Sequence, residues 1–353
     1  MKRLLAGCTL IVFSSLGVWL LPARDQKNVS DDRPTPSPAK VGHPSFLSPH
    51  FKPIVVHQDR LFVANTPADT VDVFETSTND LLARIPVGID PVSIAIRPDG
   101  LEAWVSNHIS DSISVIDTNP ENSTHLRVID TVQDIDLEKR ATNFDEPVGI
   151  AFASNQKAYV ALSSENKIAV IDVASRKVSK HLNIPAQDPR AISVRNGKLY
   201  VLPFESNNKT QLSGGYKIDG DLVTFNAHEH SIANNNVLSL GHVLDIVKHP
   251  NVPDKDLFVF DTETDKLIET VDTLGTLLYG LTIDSKGSVF VAQTDARNHI
   301  NGRSGTKKHG LAQLQNRAFL NQITRVDFQK NAAKKPSFID LEPLPSVQII
   351  PQN

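Results

Sequence analysis

Pro91-Val92-Ser93-Ile94-Ala95-Ile96, then Ala103-Trp104-Val105-Ser106-Asn107, then Ile113-Ser114-Val115-Ile116-Asp117-Thr118 form the stretch from which the fold is read. Apolar and small residues alternate in each run and β-branched residues dominate, which is the pattern of short strands. Pro98-Asp99-Gly100 separates the first run from the second and supplies the positive φ that a tight turn needs.

The same order recurs along the chain. Strands of the Ala103–Asn107 kind stand at Leu61–Asn65, Ala158–Leu162, Leu199–Leu202 and Val289–Ala292, each with an aromatic residue followed by valine. Each is followed by a second run, at Val71–Phe74, Ile168–Asp172, Leu257–Asp261 and Ile323–Asp327, and preceded by another at Pro53–Val56, Pro147–Phe152, Pro189–Val194 and Tyr279–Ile283. A fourth strand closes the unit, as at Leu81–Val87. Val63 and Val105 lie 42 positions apart and Val160 and Val201 lie 41 apart, the interval of four-stranded propeller blades. The expected fold is therefore all-β, a β-propeller of four-stranded blades. About five blades are recognisable, Pro53–Asp90, Pro91–Glu146, Pro147–Asp188, Pro189–Leu274 and Gly275–Leu344, which make either a small closed ring or an incomplete seven-bladed one. Long insertions fall in the fourth blade, between Phe204 and Lys255, and in the fifth, over Thr294–Asn321. Loops of that length carry function or are disordered, so the rim they leave from is the expected binding region.

Ahead of the repeats, Lys2 and Arg3 precede an apolar run from Leu4 to Leu21 that ends at Pro22-Ala23, the layout of a secretory signal over residues 1–23. Residues 24–50 are polar and proline-rich and read as a linker, 51–344 as the propeller and 345–353 as a tail. The chain is expected in the periplasm or outside the cell, or held at the inner membrane if the signal stays uncleaved. Cys8 is the single cysteine and lies in the signal, so the exported chain carries no disulfide. Its 34 basic against 40 acidic side chains, with no basic run, speak against a nucleic-acid partner.

Phe62-Val63-Ala64-Asn65, Val115-Ile116-Asp117-Thr118 and Pro91-Val92-Ser93-Ile94-Ala95 with Asp99-Gly100 resemble the YVTN-type bacterial β-propeller repeats, over about residues 53–328. Pro253–Val259, Ala292–Arg303 and Asn316–Asn321 are similar to segments of large exported proteins in which such a propeller precedes a cytochrome c-like domain. That resemblance implies an electron-transfer context. No Cys-x-x-Cys-His site occurs here, so haem binding does not carry over, and the chain is expected to be the propeller part of such an architecture or a homologue without the rest.

Candidate chemistry is sparse. His228 and His230, at i and i+2 on an extended segment, could hold a divalent metal with Glu229 or His242, against the alternative of a histidine-rich polar loop. No other cofactor is expected. Asp295, Arg297, Asn298 and Arg303 open the fifth-blade insertion and are the candidate binding residues for a protein partner or domain at the rim. Leu311, Leu314 and Ala318 follow at helical spacing. A Gly-x-Ser-x-Gly elbow is absent. The expected function is a non-enzymatic binding scaffold, and the alternative is a lactonase-like hydrolase that uses the propeller channel.

Overall fold

The structure is a computed structural model, and it describes residues 48–205, 210–218, 221–224, 245–248, 255–296, 317 and 319–343, with backbone alone between 210 and 248. Blade 1 is the meander β1 (Ile54–His57), β2 (Arg60–Asn65), β3 (Thr70–Glu75) and β4 (Leu81–Pro86). Blade 2 is β5 (Pro91–Ile96), β6 (Glu102–Asn107), β7 (Ser112–Asp117) and β8 (Val128–Val132), followed by a hairpin of β9 (Ile135–Asp136) and β10 (Ala141–Thr142). Blade 3 is β11 (Pro147–Phe152), β12 (Lys157–Leu162), β13 (Lys167–Asp172) and β14 (Lys177–Asn183).

Blade 4 begins with β15 (Gln187–Arg195) and β16 (Lys198–Glu205). The chain then forms a separate three-stranded sheet of β17 (Thr210–Ile218), β18 (Asp221–Thr224) and β19 (Asp245–Lys248), and returns to blade 4 as β20 (Leu257–Asp261) and β21 (Leu267–Val271). Blade 5 is β22 (Leu277–Ile283), β23 (Val289–Ala296) and β24 (Phe319–Val326). After a hairpin of β25 (Phe328–Gln329) and β26 (Ala332–Ala333), it is completed by β27 (Ser337–Asp340). The pairing Glu205↔Leu277 joins blades 4 and 5 into one continuous sheet. The all-β architecture of four-stranded antiparallel blades follows the repeat read from the sequence.

The turn glycines behave as the repeat requires. Gly100 has φ +76°, and a Cβ there would lie 2.7 Å from the His57 ring of blade 1, so this turn needs glycine for space as well as conformation. Every first strand except that of blade 1 has a register shift near its start, between Pro91 and Ser93, Pro147 and Ile150, Pro189 and Ala191, and Leu278 and Gly280. A bulge here turns the entering chain while leaving the rest of the strand in register.

Blades pack face to face in series, through their first strands: β1 against β5, β5 against β11, β11 against β15 and β15 against β22. At Gly149 the approach is close enough that a Cβ would sit 2.3 Å from the Arg190 carbonyl oxygen. Each joint has its own apolar cluster. Phe62, Val71 and Val73 meet Ile94, Val105 and Ile116 between blades 1 and 2, and Trp104, Ile113 and Val115 meet Ile150, Val160 and Ile171 between blades 2 and 3. Tyr159 and Ile168 meet Ile192, Val201 and Phe258 at the next joint, and Tyr200, Leu202 and Val259 meet Leu281, Val289 and Val291 at the last. At about 1.5–3 kcal/mol for each fully buried large side chain, these joints are the main source of stability.

A polar latch repeats below each cluster. The first residue of a blade's second strand reaches the turn between third and fourth strands of the next blade: Arg60 donates to His125, Glu102 meets Arg176 at 3.0 Å, Lys157 meets Asp265 at 2.7 Å, and Lys198 donates to the Lys330 carbonyl at 3.1 Å.

Candidate functional site

Strand direction defines two rims. First strands begin at the upper rim, where second strands end and third strands begin. The fourth-blade insertion leaves after Glu205 and returns at Leu257, and the fifth-blade insertion leaves after Ala296 and returns at Phe319. Both lie between second and third strands, and the β9–β10 hairpin lies between a fourth strand and the next first strand. All three therefore depart from the upper rim.

The upper rim is held by a repeated cap. The residue before a third strand accepts the N–H of a residue leading into the next blade: Asp69 takes Asp90 N–H at 3.0 Å, Asp111 takes Glu146 N–H at 3.1 Å, Asn166 takes Asp188 N–H at 2.8 Å, and Asp256 takes Leu274 N–H. Asp69, Asp90, Asp111, Glu146, Asn166 and Asp188 all have positive φ, a conformation that Asn and Asp tolerate better than most residues. Hydroxyls add to the caps, with Thr66 donating to the Pro91 carbonyl at 2.7 Å and Ser106 to the Val148 carbonyl at 2.6 Å. Asp90 is 1% exposed and accepts from Ser48 Oγ at 2.8 Å.

Where the first strands meet, the packing is apolar. Phe51 donates its N–H to the Val92 carbonyl at 3.1 Å, and its side chain joins Val92, Val148, Ala191 and Leu278 in one buried cluster. These residues come from blades 2 to 5 and the segment before blade 1. Carboxylates lie further out. Burial raises the Asp111 carboxyl above the usual carboxylate range, and the nearby charges of Asp145 and Glu146 add to the shift against the lowering effect of the Glu146 N–H. His108 Nε2 stands 3.9 Å from Glu146. Among the described residues no group of three or more His, Asp or Glu side chains is placed to hold a metal ion.

The fourth and fifth blades carry a different arrangement. Arg190, held by Asp188 through Nε at 2.8 Å, lays its guanidinium 3.9 Å from the Phe204 ring centroid. Phe204 meets Tyr279 edge to face at 5.6 Å, and Tyr279 is 49% exposed. This makes an Arg–Phe–Tyr stack with an open aromatic end, of the kind that contributes binding energy when a partner covers it. Glu205, where the fourth-blade insertion starts, is paired to Leu277 two residues from Tyr279.

Of the residues singled out in the sequence, Asp295 is placed. On β23 it pairs with Leu320 of β24, and its Oδ1 accepts from Thr276 Oγ1 at 3.4 Å, which in turn accepts the Ala296 N–H at 2.9 Å. Asp295 is thus at the departure point of the fifth-blade insertion, close to the Arg–Phe–Tyr stack in the chain's pairing. Arg297, Asn298 and Arg303 lie outside the described residues, as do His228, His230 and His242 of the metal candidate and the helical spacing over Leu311–Ala318.

Sequence reading missed Arg190, Phe204 and Tyr279. The signal was a departure from the repeat. Val92 and Val148 follow their prolines, whereas Arg190 follows Pro189, and Thr66, His108 and Ser163 just past the second strand give way to Phe204.

No protein-family model matches the sequence, and no curated protein matches it. Among solved structures the chain is similar to Kuenenia stuttgartiensis hydrazine synthase, with a TM-score of 0.53 and 18% identity over 80% of this chain and 63% of that one. It thus spans less than two thirds of that chain's length. A WD40 β-propeller domain of Doa1 matches with a TM-score of 0.43 and 9% identity, over 67% of this chain and 58% of that domain. At 18% identity the likeness to the synthase concerns the fold alone, and the four-stranded antiparallel blades of this chain make that fold a β-propeller.

Proposed function

We propose that this chain is an exported, YVTN-type β-propeller that acts as a binding scaffold, with its partner docking on the upper rim of blades 4 and 5. The observation that carries the reading is that the departure points of both long insertions, after Glu205 and Ala296, stand beside the half-exposed Arg190–Phe204–Tyr279 stack. Loops on a rigid scaffold are where recognition concentrates, and an exposed aromatic supported by arginine is a typical anchor. The burial of Phe51, Val92 and Val148 between the first strands favours binding over hydrolysis, because a lactonase-like reaction there needs an open site lined with polar groups. The apolar run of residues 4–21 supports export to the periplasm or beyond, and the family resemblance supports a cytochrome-type domain as the partner.

The test uses the lack of cysteine after Cys8. Tyr279→Cys on the upper rim and Lys286→Cys in a lower-rim turn are each labelled with a photo-crosslinker in an exporting host. A discrete adduct from position 279 and none from position 286 is the expected result. Equal labelling at both sites, or none at 279, removes the rim as the docking surface.

A further inference from the structure

Blades 1 and 5 stand at the two ends of the described series. Among the described residues, no packing comparable to the four joints connects β22–β24 to β1–β3. The free face of blade 1 carries Ile54 and Val56, 58% and 61% exposed, with Leu61, Val63 and Phe74 only partly buried across the register. By position in the repeat these match Ile94, Ile96, Ala103, Val105 and Ile116 of blade 2, which lie in the joint with blade 1. The free face of blade 5 carries Phe290, Ala292, Ile323 and Ile339, the last 51% exposed. Their counterparts Phe62, Ala64, Val71 and Ile85 of blade 1 also lie in that joint. One end is thus built like the leading face of a joint and the other like its receiving face.

We infer that the two ends dock head to tail, the blade 5 face of one copy of this chain seating on the blade 1 face of a second copy. Continuity with the four joints inside the chain is the first argument. Charge is the second. Where Val73, Val115, Val170 and Val259 pair with the aromatic residue of the second strand, blade 5 has Arg325, 5.7 Å from the Phe290 ring and in reach of Ser288 at 3.4 Å. The turn it would meet on blade 1 is acidic, Glu75 to Asp80, with Asn79 at positive φ like Arg176 and Asp265 in the same turn of other blades. The positions that carry the Glu102–Arg176 and Lys157–Asp265 latches are here Ser288 and Asn79, and Arg325, which is also paired with Asp327 at 2.9 Å, adds positive charge beside Ser288. Size is the third argument. A four-stranded face of about 19 by 20 Å covers about 400 Å². One joint then buries about 800 Å², and a closed pair with two joints about 1,600 Å², the size of a stable specific interface. The contact is heterologous, so it closes into a ring or extends as a chain according to its angle. It is independent of the rim reading, since neither face includes Arg190, Phe204 or Tyr279.

Sedimentation of the full chain, Val56→Asp and Ile339→Asp tests the inference. Both substitutions are at exposed positions, and far-UV circular dichroism checks each fold. Arg325→Glu, which sets like charge against Glu75, stands in for any variant that misfolds. The unaltered chain is expected to associate in a concentration-dependent way at about 10 μM, and each variant to raise the dissociation constant at least about a hundredfold. An equimolar mixture of Val56→Asp and Ile339→Asp keeps one intact joint and is expected to associate more tightly than either variant alone, because each still owns the face that the other needs. A chain that stays monomeric, association untouched by either variant, loss through only one of them, or a mixture that associates no more tightly than either variant alone each overturns head-to-tail docking.

Discussion

Lys157, at the head of β12, places its ammonium 2.7 Å from Asp265 in the turn after β20, although the two are 108 residues apart in the chain. Asp265 also takes hydrogen bonds from Lys180 and from the Tyr159 hydroxyl, and its side chain is 4% exposed. Three donors from blade 3 therefore converge on one carboxylate of blade 4. The same positions carry Glu102 and Arg176 at the joint before it, so the latch conserves its place in the repeat while its charges reverse.

Removing that carboxylate leaves two lysines and a phenol facing an apolar joint. Asp265→Ala is expected to cost about 2–4 kcal/mol and to lower Tm by roughly 5–10 °C, measured by calorimetry. Lys180→Met, which removes the more exposed of the two lysines, is expected to cost under about 1 kcal/mol.

The latch also sets a pH dependence at both extremes. Burial tends to raise the Asp265 carboxyl, but hydrogen bonds from Lys157, Lys180 and Tyr159 outweigh it and hold the group below its ordinary 3.8. The unfolded chain takes up this proton first, so the stabilisation is full above 3.8 and is lost as pH falls through the folded value. Tyr159 is the opposite case. Burial, then the bond to Asp265, raises its phenol above 10.0, so its contribution is full below 10.0 and declines as pH rises further. Urea unfolding between about pH 9 and about pH 11.5 is expected to show a steeper loss for the unaltered chain than for Tyr159→Phe. Parallel curves would remove Tyr159 from the account.

At the upper rim, Asp111 and Asn166 occupy equivalent caps, and only the first is surrounded by Asp145 and Glu146. Asn166 shows that an amide oxygen serves the cap as well as a carboxylate. The raised Asp111 carboxyl means that the folded state favours its neutral form, a contribution present below 3.8 and lost as pH rises through the folded value. Asp111→Asn is therefore expected to stabilise the chain at neutral pH by a few tenths of a kcal/mol, solvent screening having reduced the repulsion. The gain should vanish near pH 3, and a variant less stable at neutral pH would show that charge is needed at this cap.

Much of the fold was legible because a strand buried on both faces keeps its pattern wherever it occurs. Phe62, Trp104, Tyr159, Tyr200 and Phe290 mark the second strand of all five blades, and the turn glycines Gly100, Gly197 and Gly287 take the positive φ expected of them. The sheet of β17, β18 and β19 was not legible, since Gly214-Gly215 interrupts the alternation of its central strand. The latches were hidden for another reason: their partners are tens of residues apart, and their chemistry changes from joint to joint. The rim stack lay between these cases, because Arg190 and Phe204 depart from a repeat that was itself plain.

The joint between blades 2 and 3 gives the most direct optical test. Glu102 accepts the Trp104 indole N–H at 2.9 Å and pairs with Arg97 at 2.8 Å and Arg176 at 3.0 Å, while Trp104 is fully buried edge to face with Phe152. The other tryptophan, Trp19, lies in the apolar N-terminal run, so a chain prepared without residues 1–23 has Trp104 as its sole indole reporter. Glu102→Gln keeps an acceptor for the indole but removes the charge between two arginines. It is expected to cost about 1.5–3 kcal/mol with native emission still that of a buried indole. Glu102→Ala removes the acceptor too, leaving the indole N–H unpaired in an apolar joint, and is expected to cost at least about 1 kcal/mol more. Urea titration followed through Trp104 emission distinguishes the two contributions. Equal losses would assign the whole effect to the arginine latch, and no loss in Glu102→Gln would show that packing of Trp104 against Phe152 holds the joint without it.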